Sequence, residues 1–320
     1  MDLDQLPDAT TIFNYQNFDE VFYFDTECSY EEDVVEEIVQ NKKELEVQFI
    51  ESVMKLLGIK RPSKYYPPKS NSDLRHLHKA IVESSGLEHH KISVLYYVLL
   101  NIDLPTRRRV YSTEFERKSF LPPKYSIYMK GLWHLDGQEF NKALEYLTHA
   151  SLIPTFQDDI VELLVRKNEL HLALAYYHTV QPVLKEARAI QSIFRAIATS
   201  SVTEAFYYSR SQPEQTRRHL FEFLISLVIH NSPKATIADR SVELVNLPFS
   251  DEEEAWFEEY LLQGDGRGLS KGKDTLMMRK IGTGKFTESL ALKGANGRAI
   301  GGLDWRTLSE SIRDGLGPRS

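Results

Sequence analysis

The sequence predicts an all-α protein: an irregular, solenoid-like array of helical repeats followed by a disordered, glycine-rich basic tail. Apolar residues recur at helical spacing along most of the chain, and no segment shows the sustained alternation of strands joined by hairpin turns. Twelve of the 16 glycines stand from Gly264 onward, and flexible segments collect glycine whereas helices tolerate little of it. The predicted regions are an acidic, aromatic N-terminal arm (1–30), a helical domain (31–263) and a flexible tail (264–320).

The first hundred residues predict the arm and three helical segments. Residues 1–30 are either a short helix packed on the body or an arm that orders on a partner. Apolar spacing from Glu31 to Leu57 predicts a helix or a helix pair that ends near Gly58. After a proline-bounded loop, a helix starts at Asp73, and the segment 87–102 is apolar on nearly all sides, as expected for a helix buried between neighbours.

The clearest helical pattern runs from Gly131 to Pro182, where short amphipathic helices follow one another. Their apolar stripes are Phe140, Ala143, Leu144 and Leu147, then Phe156, Ile160, Leu163 and Leu164, then Leu170, Ala173, Leu174 and Tyr177. Asp136-Gly137 predicts a turn, Thr155 with Asp158 predicts a helix N-cap, and Pro182 suits a first helical turn. Helices this short bury their stripes only by stacking on one another.

Beyond Pro182 the pattern predicts five more helices, over 183–197, 202–208, 213–229, 235–245 and 250–262. The apolar run LFEFLISLVI within 213–229 suggests a central position for that helix. Ser250, followed by four acidic residues, predicts an N-cap and a first turn that suits the positive end of the helix dipole.

Charge is distributed unevenly along the chain. The formal net charge is −7, but the tail (264–320) carries eleven Lys/Arg and six Asp/Glu, so it is +5 and the remainder is −12. The body has one basic stretch, Arg107, Arg108 and Arg109, which is either a solvated loop or a contact for an anion or a partner. Weak, salt-sensitive contact of the basic tail with nucleic acid or chromatin is a second functional hypothesis.

The tail contains two apolar islands in its glycine-rich sequence. The predicted partner-binding residues are Phe286, Leu290, Trp305, Leu308 and Ile312. The last three follow helical spacing, a pattern typical of an anchor helix that folds in the groove of a partner. Alternatively, Trp305 folds back on the body of this chain.

Composition and motifs argue against several functional classes. The N-terminus has no basic residue before Lys42, apolar runs are too short to span a bilayer, and Cys28 is the single cysteine, so we expect a soluble intracellular protein. The histidines form no metal-ligand motif, and glycine-lysine segments of the tail do not match a phosphate loop. We therefore predict no catalytic residues, no cofactor and no metal, and hence no enzyme.

Particular residues in the central stretch carry a family resemblance. In fixed order the sequence contains WHLD (133–136), LTH (147–149), LIPTF (152–156) and YYHTVQP (176–182). This combination resembles the ELYS family of nuclear-pore assembly nucleoporins, specifically its compact fungal members. The similarity is densest from Tyr128 to Ile197 and extends over about 43–262.

The resemblance implies a structural nucleoporin in the nucleus, at the nuclear pore complex of the nuclear envelope. Its expected partners are other nucleoporins of the Y-shaped outer-ring complex, and its expected roles are pore assembly and, through the pore, nucleocytoplasmic and mRNA transport. Large animal members also have a β-propeller and a tail with AT-hook motifs. This sequence has neither room for the propeller nor a GRP-type hook, so the resemblance implies a scaffold. We expect most motif residues to be core and turn positions that shape the scaffold, with the binding surfaces elsewhere.

Overall fold

A computed structural model describes residues 13–23, 30, 32–103, 111–230, 235–285, 288 and 310. Within these residues the secondary structure consists of α-helices, two short 3-10 helices and turns, with no strand. The predicted all-α, helical-repeat-like class is therefore confirmed. The described residues pack as two compact units, which lie within 1–157 and 175–183 (unit 1) and within 158–174 and 184–320 (unit 2).

Unit 1 is built around α5, the apolar segment predicted to be buried. Its helices are α1 (Phe18–Val21), α2 (Glu32–Leu45), α3 (Phe49–Leu56), α4 (Asn71–Val82), α5 (Glu88–Ile102), α6 (Tyr111–Lys118), α7 (Pro123–Asp136) and α8 (Phe140–Leu147). Helix α5 packs against α3, α4, α6 and α7, and α7 also packs against α2, α3 and α8. Six consecutive residues of α5 from Val94 to Leu99 are at most 1% exposed, which explains why this helix lacks a polar face.

The described part of the N-terminal arm packs on α4, as one of the two sequence alternatives predicts. Val21 and Phe22 are buried, and the guanidinium of Arg75 lies 4.0 Å from the ring centroid of Phe18. The Nε2 of His78 donates to the carbonyl oxygen of Tyr15 (2.9 Å). Burial lowers the pKa of His78, and the side chain takes part in a contact between segments distant in sequence.

Unit 2 is arranged around α13, at the predicted central helix. The remaining helices with described bounds are α9 (Gln157–Arg166), α10 (Leu170–Val180), α11 (Ala187–Ser200), α12 (Val202–Arg210), α13 (Glu214–His230), α14 (Ile237–Val245), α15 (Asp251–Leu262) and α16 (Gly272–Gly282). Helix α10 is divided between the two units. Helix α13 packs against α11, α12, α14 and α15, and its buried residues are all apolar and lie between Leu220 and Ile229.

Two predicted helix starts near the middle of the chain are wrong. Helix α9 begins at Gln157 rather than after Thr155, because Phe156 takes a left-handed backbone conformation (φ 56°). The Thr155 hydroxyl instead donates to the carbonyl oxygen of Ile153 (3.3 Å). Similarly, α11 begins at Ala187, and the residues from Gln181 to Glu186, including Pro182, form a loop.

Ordered packing continues beyond the predicted end of the body. A 3-10 helix (Asp265–Gly268) and α16 follow α15, and α16 packs against α14 and α15. Arg279 holds α16 in place: its guanidinium donates to the carbonyl oxygens of Val245 (2.5 Å) and Leu247 (2.7 Å) and to the Glu254 carboxylate (2.9 Å). The prediction of a flexible tail from Gly264 is thus wrong for 265–282. The high glycine content of this segment indicated flexibility, but α16 within it has one buried face.

Candidate protein-interaction surfaces

The WHLD motif ends α7, and its aspartate is a buried structural group. The Asp136 carboxylate accepts hydrogen bonds from the backbone N–H groups of Phe49 (2.7 Å) and Ile50 (3.0 Å) and from the Tyr97 hydroxyl (2.8 Å). It therefore holds the N-terminus of α3, where helical N–H groups lack partners within the helix. Burial raises the pKa of Asp136 to about 7, although these three hydrogen bonds act in the opposite direction.

The tryptophan of the same motif belongs to a neighbouring hydrogen-bond network in unit 1. Trp133 Nε1 donates to Asn101 Oδ1 (2.8 Å), and Asn101 Nδ2 donates to the hydroxyl oxygens of Tyr66 (3.0 Å) and Tyr30 (3.3 Å). The Tyr30 hydroxyl in turn donates to the carbonyl oxygen of Val98 (3.1 Å). Buried polar groups that satisfy one another in this way fix the packing of helices.

The other motif segments meet around a small surface pocket in unit 1 of about 170 Å³, here called the motif pocket. Its lining includes motif residues Leu147, Thr148, His149, Leu152, Ile153, Pro154, Thr155, Tyr176, Thr179 and Val180. The Tyr128 hydroxyl donates to the carbonyl oxygen of Thr155 (2.9 Å) and thereby holds the loop that carries Ile153. Ile153 is 80% exposed. Thus some motif residues are core, as predicted, and others form a surface with an exposed aliphatic side chain.

A larger groove lies within unit 2 among α9, α11, α13 and α14, with a volume of about 1,070 Å³. Helix α11 contributes one face to it: Arg188, Gln191, Ser192, Arg195 and Thr199, which follow the i, i+3, i+4, i+7 spacing of a single helix side. Arg188 and Arg195 are exposed. We call this feature the α11 groove.

One buried cluster of charged side chains in unit 2 has a structural role. Glu253 is 1% exposed and accepts hydrogen bonds from Arg210 (2.6 and 2.9 Å), Arg217 (2.8 Å) and the backbone N–H of Ser250 (2.8 Å). The Ser250 hydroxyl accepts from the backbone N–H of Glu253 (3.3 Å), which completes a capping box at the predicted N-cap. This cluster therefore joins α12, α13 and α15.

The sequence-predicted site residues lie outside the described residues. They are Arg107, Arg108 and Arg109 in the body and Phe286, Leu290, Trp305, Leu308 and Ile312 in the tail. Sequence reasoning missed both surfaces described above. The seven-residue separation of Arg188 and Arg195 was available as a signal for the α11 groove, but nothing in the sequence brings α9, α13 and α14 to the same place.

The described part of the chain contains neither a cluster of candidate metal ligands nor a membrane-spanning helix. No group of three or more His, Cys, Asp or Glu side chains there is placed to hold a metal ion. The helices described are also too short or too polar to span a bilayer. The packed helices, their buried polar networks and the surface grooves define a helical, repeat-like protein.

The comparison with known families identifies the family to which this helical protein belongs. The chain belongs to the ELYS family, since the profile of that family, described as nuclear pore complex assembly, matches residues 47–264, which is more than half of the chain. The resemblance seen in the motifs is thereby confirmed. Membership connects the chain with the assembly of the nuclear pore complex.

One curated relative is similar over a shared segment. It is a Schizosaccharomyces pombe protein described as uncharacterized protein ely5, 27% identical over 196 residues. The alignment covers 61% of this chain and 61% of the relative. The chain therefore matches less than two thirds of that protein.

Proposed function

We propose that the protein is a structural adaptor that docks on the Y-shaped outer-ring scaffold of the nuclear pore complex and contributes to pore assembly at the nuclear envelope. The observation that carries this proposal is the family match over 47–264, a range that contains α3 to α15. Its partners are then other nucleoporins, and its contribution to nucleocytoplasmic and mRNA transport is indirect, through the pore itself.

The motif pocket is the docking surface in unit 1 that we assign to this role. Ile153 exposes most of its side chain beside the pocket. The hydrogen bond from Tyr128 to Thr155 already restrains the loop that carries Ile153, so the loop loses little conformational entropy on binding. A preorganised apolar side chain beside a concave surface fits the anchor-and-pocket arrangement of protein interfaces.

The tail anchors (Phe286, Leu290, Trp305, Leu308 and Ile312) stay a prediction of a second contact with the Y complex. The structure changes how this prediction is tested. Truncation after Gln263 removes α16, which packs on unit 2, so loss of binding would not report on the anchors. Truncation after Lys285 removes the anchors and keeps α16.

Nucleic-acid binding by the tail receives no support from the charge distribution. Residues 264–285 hold six Lys/Arg and two Asp/Glu, whereas residues 286–320 hold five and four. Most of the positive charge therefore belongs to the segment that contains α16. There Arg279 is paired with Glu254, and Lys280 is paired with Glu258 and Glu288, which reduces the charge offered to phosphate groups.

Affinity purification from the native source tests the proposal. We expect the full chain to recover Y-complex nucleoporins in stoichiometric amounts, and recovery of none of them would overturn the proposed function. Ile153→Asp is expected to reduce recovery at least tenfold, whereas Leu56→Asp, a matched change at another exposed side chain of unit 1 (69% exposed), leaves it unchanged. Equal recovery by both variants would remove the motif pocket from the interface.

The chain truncated after Lys285 tests the anchors in the same experiment. Reduced recovery is expected, and undiminished recovery would exclude a contribution from 286–320. DNA binding of the full chain at two salt concentrations tests the nucleic-acid alternative, for which we expect no binding at low salt.

A further inference from the structure

The face of α11 that lines the α11 groove is polar and basic, whereas the neighbouring walls are partly apolar. Arg188 and Arg195 are exposed and lie two helical turns apart, about 10.5 Å along the axis. Between them on the same face lie Gln191 and Ser192. Half-buried side chains of Val165, Leu170 and Phe223 supply apolar surface beside this face.

The remaining charged residues of the groove differ in their surroundings. Arg240 donates to the carbonyl oxygens of Thr199 (2.8 Å) and Ala198, so it closes the C-terminal end of α11. The Glu243 carboxylate accepts from the backbone N–H (2.9 Å) and the hydroxyl (2.7 Å) of Thr203. Both side chains therefore already serve the packing of unit 2.

The exposed Arg166 of α9 and two acidic side chains complete the charged lining, and the acidic positions restrict where a negative ligand group can lie. Glu162 stands on α9, where burial and the nearby Asp159 raise its pKa while Arg188 lowers it. Asp239 is exposed on α14. Asp239 thus disfavours a ligand carboxylate near α14, and Glu162 disfavours one close to α9. The favoured positions therefore lie along the exposed side of α11, where Arg188 and Arg195 stand.

We propose that the α11 groove binds an acidic amphipathic helix of a partner protein. Two carboxylates seven residues apart on that helix pair with Arg188 and Arg195, and the apolar residues between them cover Phe223 and its neighbours. The spacing of the arginines equals two turns on both helices, and the apolar wall supplies the burial that surface ion pairs alone do not give. The inference deepens the proposed function, since it gives the chemistry of one scaffold partner.

Binding of a designed probe to the full chain tests the groove directly. The probe is a labelled helical peptide of 15 residues with two glutamates seven positions apart and leucines between them, followed by fluorescence anisotropy. Arg188→Glu/Arg195→Glu is expected to weaken binding at least tenfold. The matched control is Arg267→Glu/Lys271→Glu, which reverses two exposed charges of unit 2 outside the groove lining and is expected to change affinity less than twofold.

A charge-swapped probe, with lysines in place of the glutamates, separates recognition from damage to the fold. The Arg188→Glu/Arg195→Glu variant is expected to bind this probe at least tenfold more tightly than the natural chain does. Equal weakening by both charge-reversed variants, no gain with the lysine probe, or no binding of the glutamate probe to the natural chain would each overturn the inference.

The two proposals fail in distinguishable ways. If the natural chain and the Arg188→Glu/Arg195→Glu variant recover the Y complex equally, the α11 groove does not bind a Y-complex subunit and the inference is overturned. The proposed function then still stands. If the glutamate probe binds through Arg188 and Arg195 but the natural chain recovers no Y-complex subunit, the groove is supported and the proposed function is wrong.

Discussion

Replacement of Glu253 by glutamine should destabilise unit 2 substantially. The side chain is 1% exposed, and its two carboxylate oxygens accept hydrogen bonds from Arg210, Arg217 and the Ser250 backbone. Glutamine preserves the shape of the side chain but removes its charge and one acceptor. Two partly buried guanidinium groups then lose their counter-charge, a change that typically costs about 3–5 kcal/mol.

The pKa of Glu253 gives a second estimate of how much its charged interactions stabilise the fold. Burial alone would raise this pKa, but the hydrogen bonds from Arg210, Ser250 and Arg217 lower it from 4.5 to about 2. A shift of about 2.5 pH units corresponds to roughly 3 kcal/mol. Because the pKa is depressed in the folded state, this stabilisation is present above pH 4.5 and is lost as the pH falls towards 2, so that roughly 1.5 kcal/mol is left at pH 3.

Urea unfolding followed by circular dichroism at pH 7 and pH 3 checks both values. We expect Glu253→Gln to lower the free energy of unfolding by roughly 3 kcal/mol at pH 7 and by about half as much at pH 3. Glu252→Gln is the matched control, since Glu252 is exposed in the same first turn. A cost equal to that of the control, or one that does not change with pH, would refute the reasoning.

Three further predictions concern single contacts. Burial raises the pKa of Asp136 above its ordinary 3.8 to about 7, so the folded state holds the proton more tightly. The natural chain should therefore lose roughly 2–3 kcal/mol of stability relative to Asp136→Asn between pH 5 and pH 8, and a pH-independent difference would contradict this. A Cβ at Gly131 would lie 2.6 Å from Leu147, whereas one at Gly282 meets no atom within 4 Å. Gly131→Ala should thus cost about 1–3 kcal/mol in thermal unfolding and Gly282→Ala almost nothing; equal costs would exclude the clash. Arg279→Ala should speed amide hydrogen exchange throughout α16, since it removes the hydrogen bonds that hold this helix on unit 2. An unchanged exchange rate would show that apolar contacts alone hold α16 in place.

The fold class and most helices follow from sequence because their causes are local. The apolar run of α5 and the capping box at Ser250 each identify an element without reference to the rest of the chain. The errors arose where a single backbone conformation decided the outcome. The positive φ of Phe156 moves the start of α9, and no propensity scale assigns that conformation to phenylalanine.

The packed position of α16 was missed for a different reason. Its sequence, GKDTLMMRKIG, begins and ends with glycine and has a basic last turn, so locally it resembles the flexible sequence around it. It is buried because Arg279 finds the carbonyl groups at the end of α14 and a carboxylate on α15. Those acceptors lie 25 to 34 residues away, and their position depends on the tertiary structure.

The same distinction explains why the sequence revealed the family more readily than the binding surfaces. Asp136 is required by backbone groups 86 and 87 residues away, and Trp133 is required by Asn101. Such residues are difficult to exchange, since each replacement leaves a buried partner unsatisfied. Arg188 and Arg195 on the exposed side of α11 can be replaced without that penalty inside the chain. Their contribution to stability depends on a bound partner and not on contacts within the chain. A docking surface is therefore identified only in the folded structure, where the helices that form its walls lie side by side.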